Sequence, residues 1–577
     1  MITIHCRNGS FLLGRKEKPP RESNPQAVYT DTIFLSRERR YLYVSYFTSK
    51  GLFLVVPLNG DDEEIRKIDL FLRILEKSGV AEVIRSSYSK LNKNGRKSYN
   101  PYNLFAMVLY SFALKRGSLR DMEEFCRYDL RARYLMEQET PSYKTICEFI
   151  NEVIVDDAYK LFSLITKAII EEFDIDISDQ YLDGTKIEAN ANKYKFVWKP
   201  RKIRKALEEK ISRLSEKIGL PYKKKETVSS ISFYERLSAY GEKEGIDPEE
   251  IPKGKGHRLS SSQRLLKEGM NCLSKLLDYE EREKICGPDR NSYYKTDHDA
   301  TAMALKTDYY SGHGSNMHAA YNVQFLVSAG LVTLYGVYQY RTDYHTLIPM
   351  LDKYHELYDS YPKNLCADSG YGIEENYIFL SDNKIGNYVK YLSWNGERNA
   401  KNPQMFSLND QKDGFLCLNG AEGRKIVSLS RHPHNKSASF YSFEGCRECG
   451  YAYLCKKKIK NKEENFRTAE LSIDYEKHKE EARKNLLSVK GIEIRINRSV
   501  QAEGSFGQLK QNLSYVRTRR RGLSRVSAEI MMMALSVNIR KLFTFSSKDS
   551  IHSHYWEADE NTEPETIKKP KKKAVTD

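Results

Sequence analysis

No apolar run in this 577-residue chain reaches the ~18 residues that a membrane-spanning helix needs. The opening Met1-Ile-Thr-Ile-His-Cys leads into no secretory hydrophobic segment. The ten cysteines are unevenly spread, so they do not describe the disulfide framework of a small secreted domain. Glycine-rich spots such as Gly312-His313-Gly314 fit no phosphate-loop pattern. Acidic residues are outnumbered, 78 Asp and Glu against 94 Lys and Arg, for a net charge of +16. These absences exclude membrane-spanning and disulfide-stapled classes and leave a reduced, cytoplasmic protein. Its charge suits a polyanionic partner such as nucleic acid; a merely lysine-rich surface is the plain alternative.

At this length two to four domains are expected. Residues 1–60 are irregular and rich in Arg, Tyr and turn formers, without an evident role. From 61 to 173 apolar residues recur at helical spacing (Ile65, Ile68, Phe71, Leu72; Leu104, Val108, Phe112), and Pro141-Ser142-Tyr143 opens a further helix. This reads as a mainly helical N-terminal domain, suited to DNA binding. Residues 175–189 mix β-formers with near-alternating polarity and read as a strand. A basic helical segment follows over about 195–290, then strands at Ala319–Val327 and Gly330–Tyr340, a helix at Tyr344–Tyr358 and a strand at Asn364–Asp368. A short helix (Glu374–Leu380), a strand at Gly386–Leu392, a loop-rich cysteine-containing stretch within about 395–490 and one helix from Arg498 to Phe543 complete the body. The polar tail, 546–577, ends in a lysine run and reads as disordered. The order strand, strand, strand, helix, strand, helix, strand, helix predicts an α/β fold. It is a ribonuclease H-like mixed five-stranded sheet over 174–545, with helical insertions. A generic α/β domain is the alternative.

Three carboxylates stand at informative places: Asp183 within the first strand, Asp368 at the end of the fourth, and Glu503 near the start of the late helix. In such a sheet the first and fourth strands are neighbours and the last helix crosses them, so the three converge. Convergent carboxylates repel unless cations neutralise them, and hard oxygen ligands favour Mg2+ or Mn2+. Two such ions suit phosphodiester chemistry. Glu503, Gly507 and Lys510 share one helix face, where glycine would let a DNA backbone approach and Lys510 meet a phosphate.

Several segments resemble the DDE transposases of bacterial insertion sequences, in the large branch with an insertion before the catalytic glutamate. They are Asp183-Gly-Thr-Lys-Ile-Glu-Ala-Asn190, Thr296-Asp-His-Asp-Ala300, Tyr321-Asn-Val-Gln324, Ala367-Asp-Ser-Gly-Tyr371, Arg498 to Lys510, Arg519-Arg-Arg-Gly522 and Asn538 to Leu542. Residues 100–160, with Gly117-Ser-Leu-Arg120, resemble that family's N-terminal domain. The resemblance implies that Asp183, Asp368 and Glu503 bind the catalytic metals. It also implies that the enzyme binds double-stranded DNA (terminal inverted repeats and target), frees a 3′-hydroxyl and transfers that strand. A homo-oligomer follows, a dimer in the active complex, close to the nucleoid. A related signature of tyrosine, arginine, glutamate and lysine is met only in part: Lys510 has the expected offset, Arg498 lies one position too far from Glu503, and the tyrosine is missing. A non-transposing nuclease on the same fold and a domesticated DNA-binding protein are the other readings; converging carboxylates speak against the latter.

Two further groups carry expectations. Cys446-x2-Cys449-x5-Cys455, with Cys417 upstream, suits a structural Zn2+ site in a loop-rich insertion. Free thiols are the alternative, and His432 or His434 could replace Cys417. Arg517, Arg519, Arg520 and Arg521 follow the glutamate helix and, with Arg498 and Lys510, are candidate phosphate contacts. Asp297 and Asp299 suit a turn or capping role.

Overall fold

The computed structural model describes residues 4–6, 9–11, 42–47, 53–58, 63–89, 99–224, 226–247, 250–252, 258–305, 317–398, 403–427, 437–455, 465–545, 554–567 and 570. His432, His434, Gly312–Gly314 and most of the terminal lysine run lie outside them. The chain divides into two compact units, 1–69 and 70–577. In the first, Ile4–Cys6 pairs with Gly9–Phe11 and Leu42–Phe47 pairs with Phe53–Leu58, both antiparallel.

The second unit opens with helices. In α1 (Pro101–Ala113), Pro101 pre-sets the first turn and the Asn100 side chain accepts the Tyr102 N–H at 3.0 Å. Every residue from Tyr102 to Ala113 is buried. A helix apolar all round belongs inside a bundle, and here Tyr143–Phe149 and α2 (Val155–Glu172) are among its companions.

The sheet comprises β1 (Asp179–Glu188), β2 (Met317–Ser328), β3 (Leu331–Tyr338), β4 (Asn364–Ala367) and β5 (Gly386–Val389) in the order β3-β2-β1-β4-β5. The β3/β2 and β2/β1 pairs are antiparallel, whereas β1/β4 and β4/β5 are parallel. Thr301–Ala304 adds a short strand to β2. This is a mixed sheet of the ribonuclease H-like kind. The apolar run of β4 reflects its central place: Leu365 enters the large core on one face, while Cys366 joins Tyr181, Ile494 and Ala502 on the other.

Between β1 and β2, helices α3 (Pro200–Lys217), α4 (Ser230–Glu244) and α5 (Ser261–Cys286) form a bundle with its own core of Ile211, Phe233, Leu237 and Leu266. Helices α6 (Leu347–Tyr358), α7 (Glu374–Asp382) and α8 (Ile473–Leu487) pack on the large core. The cysteine-containing insertion is β-rich: Gly423–Val427, Ser439–Glu444 and Phe466–Leu471 form a three-stranded sheet over Leu408, Phe415, Tyr441 and Phe443.

The expected single helix from Arg498 to Phe543 is two. Helix α9 (Val489–Arg498) continues through wider π-helical turns to Asn512. The chain then leaves helical geometry until α10 (Leu523–Phe545). Asp297 and Asp299 hold the start of α10, accepting the Gly522 and Leu523 N–H groups at 3.1 and 2.7 Å. Buried along most of its length, α10 packs against α1, α2 and β3. Its Asn538 amide pairs with both main-chain groups of edge residue Val332, at 2.7 and 2.9 Å. The tail also differs from expectation: His554–Ile567 is a docked strap, with Ile567 against the large core. Among the described residues no helix is long and apolar enough to cross a membrane.

Candidate active site

Ala367 lies opposite Leu182 in the parallel β1/β4 pair, so one step further along both chains sets Asp368 beside Asp183. Asp183 and Thr185 face the α9 side of the sheet, whereas Gly184 and Lys186 face the other. A Cβ on residue 184 would overlap the amide of Gln324, directly across in β2, so glycine there lets β2 close against the strand.

The helical run after α9 supplies the third carboxylate. Arg498, only 4% exposed, directs Nη2 to Asp183 Oδ1 at 3.2 Å and Nη1 toward Glu503 Oε1 at 3.7 Å. Burial opposes its charge, but Asp183 and the more distant Asp368 sustain it, and its affinity for the proton rises. At Asp368 burial pushes the carboxyl up, Arg498 and Lys390 pull it down, and the cations prevail, holding it below its ordinary range. Lys390 Nζ is 3.4 Å from Asp368 Oδ1. One buried guanidinium thus serves carboxylates from three separate elements. Arg498, expected at a DNA phosphate, faces these carboxylates instead.

The one-residue offset of Arg498 has a local cause. Ser499–Glu503 is a π-helical turn, in which residues five apart rather than four stack on one face. The widened turn absorbs the additional residue and returns Arg498 to the side of Glu503. Two turns past Glu503, Lys510 Nζ donates to Thr185 Oγ1 at 2.5 Å, tying the same helical run to β1 two residues beyond Asp183.

A polar network beneath the site carries no counterpart in the sequence-based assignments. Asp343 Oδ1 accepts from Lys186 at 2.8 Å, Asn322 at 2.8 Å and Gln324 at 3.0 Å, and the buried Tyr371 hydroxyl donates to Gln324. Tyr371 ends the turn that starts at Asp368, so the network supports that turn from below. The Tyr-Asn-Val-Gln segment was the available signal; Asp343, lying just ahead of a helix, has the sequence appearance of a capping residue.

The arginine loop lies on the extension of β1. Thr518 donates its N–H to Glu188 O at 2.8 Å, and Glu188 donates to Val516 O at 3.2 Å. Arg517 reaches the carbonyls of Ala189 and Ala191, and Arg521 that of Asn190. Glu529, fully buried on α10, accepts the Arg519 and Arg520 N–H groups at 3.0–3.1 Å. A Cβ on Gly117 would come 2.5 Å from the Arg519 guanidinium, so the helical N-terminal part borders the loop as well.

In the β-rich insertion Cys417 ends the strand Phe415–Cys417, and Cys446 follows the strand Ser439–Glu444. Burial raises the Cys446 thiol first, and the neighbouring sulfurs of Cys449, Cys455 and Cys417 add to it. Arg467 Nη1 lies 2.8 Å from Cys455 Sγ. Among the described residues no three His, Cys, Asp or Glu side chains stand at metal-ligand spacing. At the sheet, Arg498 stands between the carboxylates and supplies positive charge.

The strand order together with these carboxylates defines a ribonuclease H-like protein with an acidic centre on its sheet. Residues 416–543 match the family described as Transposase DDE domain, and residues 58–152 match the family described as Transposase domain (DUF772). Both matches support a DDE-type transposase of an insertion sequence. The first match contains Glu503 and the arginine loop, while Asp183 and Asp368 lie outside both. The chain matches no curated protein and no solved structure.

Proposed function

We propose that this DNA transposase binds the terminal inverted repeats of its own element, hydrolyses the phosphodiester at each end to free a 3′-hydroxyl, and joins that end to target DNA. Asp183, Asp368 and Glu503 would hold two Mg2+ or Mn2+ ions, a donor set of hard oxygens that fits them. When bound, the two ions activate the attacking oxygen and stabilise the leaving one. The carrying observation is that Arg498 pairs with both Asp183 and Glu503 and acts on Asp368 electrostatically.

The chain's own residues divide the remaining work. Arg498 is a fixed counter-charge that holds Asp183 and Glu503 close together and favours the ionised form of Asp368. Lys510 holds the glutamate helix to β1 and stands beside the path of a phosphate. Arg517, Arg519, Arg520 and Arg521 contact the DNA backbone, their loop held in shape by Glu529 so that little ordering accompanies binding. Cys417, Cys446, Cys449 and Cys455 would hold a structural Zn2+, which would staple the insertion. Two ends must be held together, so the enzyme acts as a homo-oligomer, a dimer in the active complex, in the cytoplasm at the nucleoid.

The test is a strand-transfer reaction using the inverted repeats that bracket the gene, Mg2+ and a supercoiled target. Joined products are expected; cleavage without joining would reduce the reading to a nuclease, and DNA binding without cleavage would overturn it.

A further inference from the structure

Beyond both matched family segments, His554–Ile567 lies against α9 and joins it to the sheet. The junction is at Asn497, which is fully buried and immediately precedes Arg498. Asn497 Oδ1 accepts the Tyr555 and Trp556 N–H groups at 2.7 and 3.2 Å, and its Nδ2 donates to Trp556 O at 2.7 Å. His554 bridges the two elements whose register matters, with Nε2 3.4 Å from Asp179 on β1 and Nδ1 3.0 Å from Glu493 on α9.

Two other anchors fix the strap. The Tyr555 hydroxyl donates to Ala329 O at 2.8 Å in the β2–β3 turn, where a Cβ on Gly330 would collide with it. Gly330 donates its N–H at 2.9 Å to Gln501, inside the π-helical turn that aligns Arg498 with Glu503. Further on, Glu565 pairs with Arg495 at 3.0 Å and Arg398 at 2.7 Å.

We infer that the 554–567 strap is a positioning element of the active site, holding α9 in register on β1 through Asn497 so that Arg498 meets Asp183 and Glu503. A buried amide whose donor and acceptor are both matched by one strap fixes that strap in one placement, and removing it strands polar groups in a dry site. Asn497 and the strap are positioning rather than catalytic residues, because they touch no reacting atom. The inference rests on the proposed carboxylate site.

The experiment compares full-length wild type, a strap variant (His554→Ala, Tyr555→Ala and Glu565→Ala together), Asn497→Ala and their combination. Single-turnover nicking is measured at saturating end DNA, DNA affinity by gel shift without divalent metal, and hydrogen exchange over 489–503. The strap variant and Asn497→Ala should each nick about tenfold slower, with unchanged DNA affinity and faster exchange in 489–503. The combination should be no worse than the slower of the two, since both break the same junction. Glu565→Gln, which weakens only the pairs with Arg495 and Arg398, should nick about threefold slower with a smaller rise in exchange over 489–503, and serves where the triple variant does not fold. Unchanged exchange with nicking within twofold of wild type would overturn the inference. A wild type that does not nick in Mg2+ would instead overturn the proposed function, leaving the exchange result to judge the strap.

Discussion

Arg498 Nη2 stands 3.2 Å from Asp183 Oδ1, and the same side chain lies within 3.7 Å of Glu503. An internal guanidinium thus occupies the place where the carboxylates would otherwise repel one another. Removing it should leave the acidic centre dependent on added cations. Arg498→Ala is expected to lower stability by roughly 3 kcal/mol, the scale of breaking a buried charge pair. Mg2+ should restore more of that loss than it adds to wild type, because metal then supplies the missing charge. Thermal denaturation with and without Mg2+ measures both, and equal Mg2+ effects would argue against shared neutralisation.

The arginine loop makes a different prediction, about salt. Replacing Arg519 and Arg520 with Ala should weaken binding to all DNA sequences and flatten the log–log salt dependence by ~0.9 for each phosphate no longer neutralised. Glu529→Ala removes no arginine, yet it frees the loop backbone from its buried acceptor. It should weaken binding with the slope nearly kept, since the charges remain and only their placement changes. Gel shifts over a salt series separate the two, and an unchanged slope in the double arginine variant would remove these residues from the DNA interface.

For the insertion, purified protein should carry about one Zn2+ per chain. Cys446→Ser should release it and destabilise 403–471 locally, which elemental analysis and limited proteolysis would register. Zinc-free wild type of undiminished protease resistance would leave the four cysteines as ordinary thiols.

Much of the sheet was legible because its cues are local. The β4 run Leu365-Cys366-Ala367 is continuously apolar since both faces are buried, and Asp-Ser-Gly ends it. From that run and β1 came the expectation that Asp183 and Asp368 would be neighbours. What was illegible depends on distant partners. Helical periodicity carries on from Leu509 to Val526, yet the chain between opens into a loop. Gly522 takes φ +83° there, and Glu529, Asp297 and Asp299 bind its backbone. The strap has a polar sequence without periodicity, and its order comes from Asn497 and the β2–β3 turn. A π-helical turn leaves no composition signal, so the Arg498 offset reads as a departure until the turn is seen.

The most direct measurement is Mg2+-dependent nicking of an end-containing duplex by Asp368→Asn, beside a gel shift of the same protein. The substitution keeps side-chain size and removes the charge that would hold metal, so cleavage should collapse while end binding survives. Binding should even tighten slightly, because one fewer negative charge repels phosphate. Nicking by Asp368→Asn at the wild-type rate would contradict the catalytic assignment of the triad.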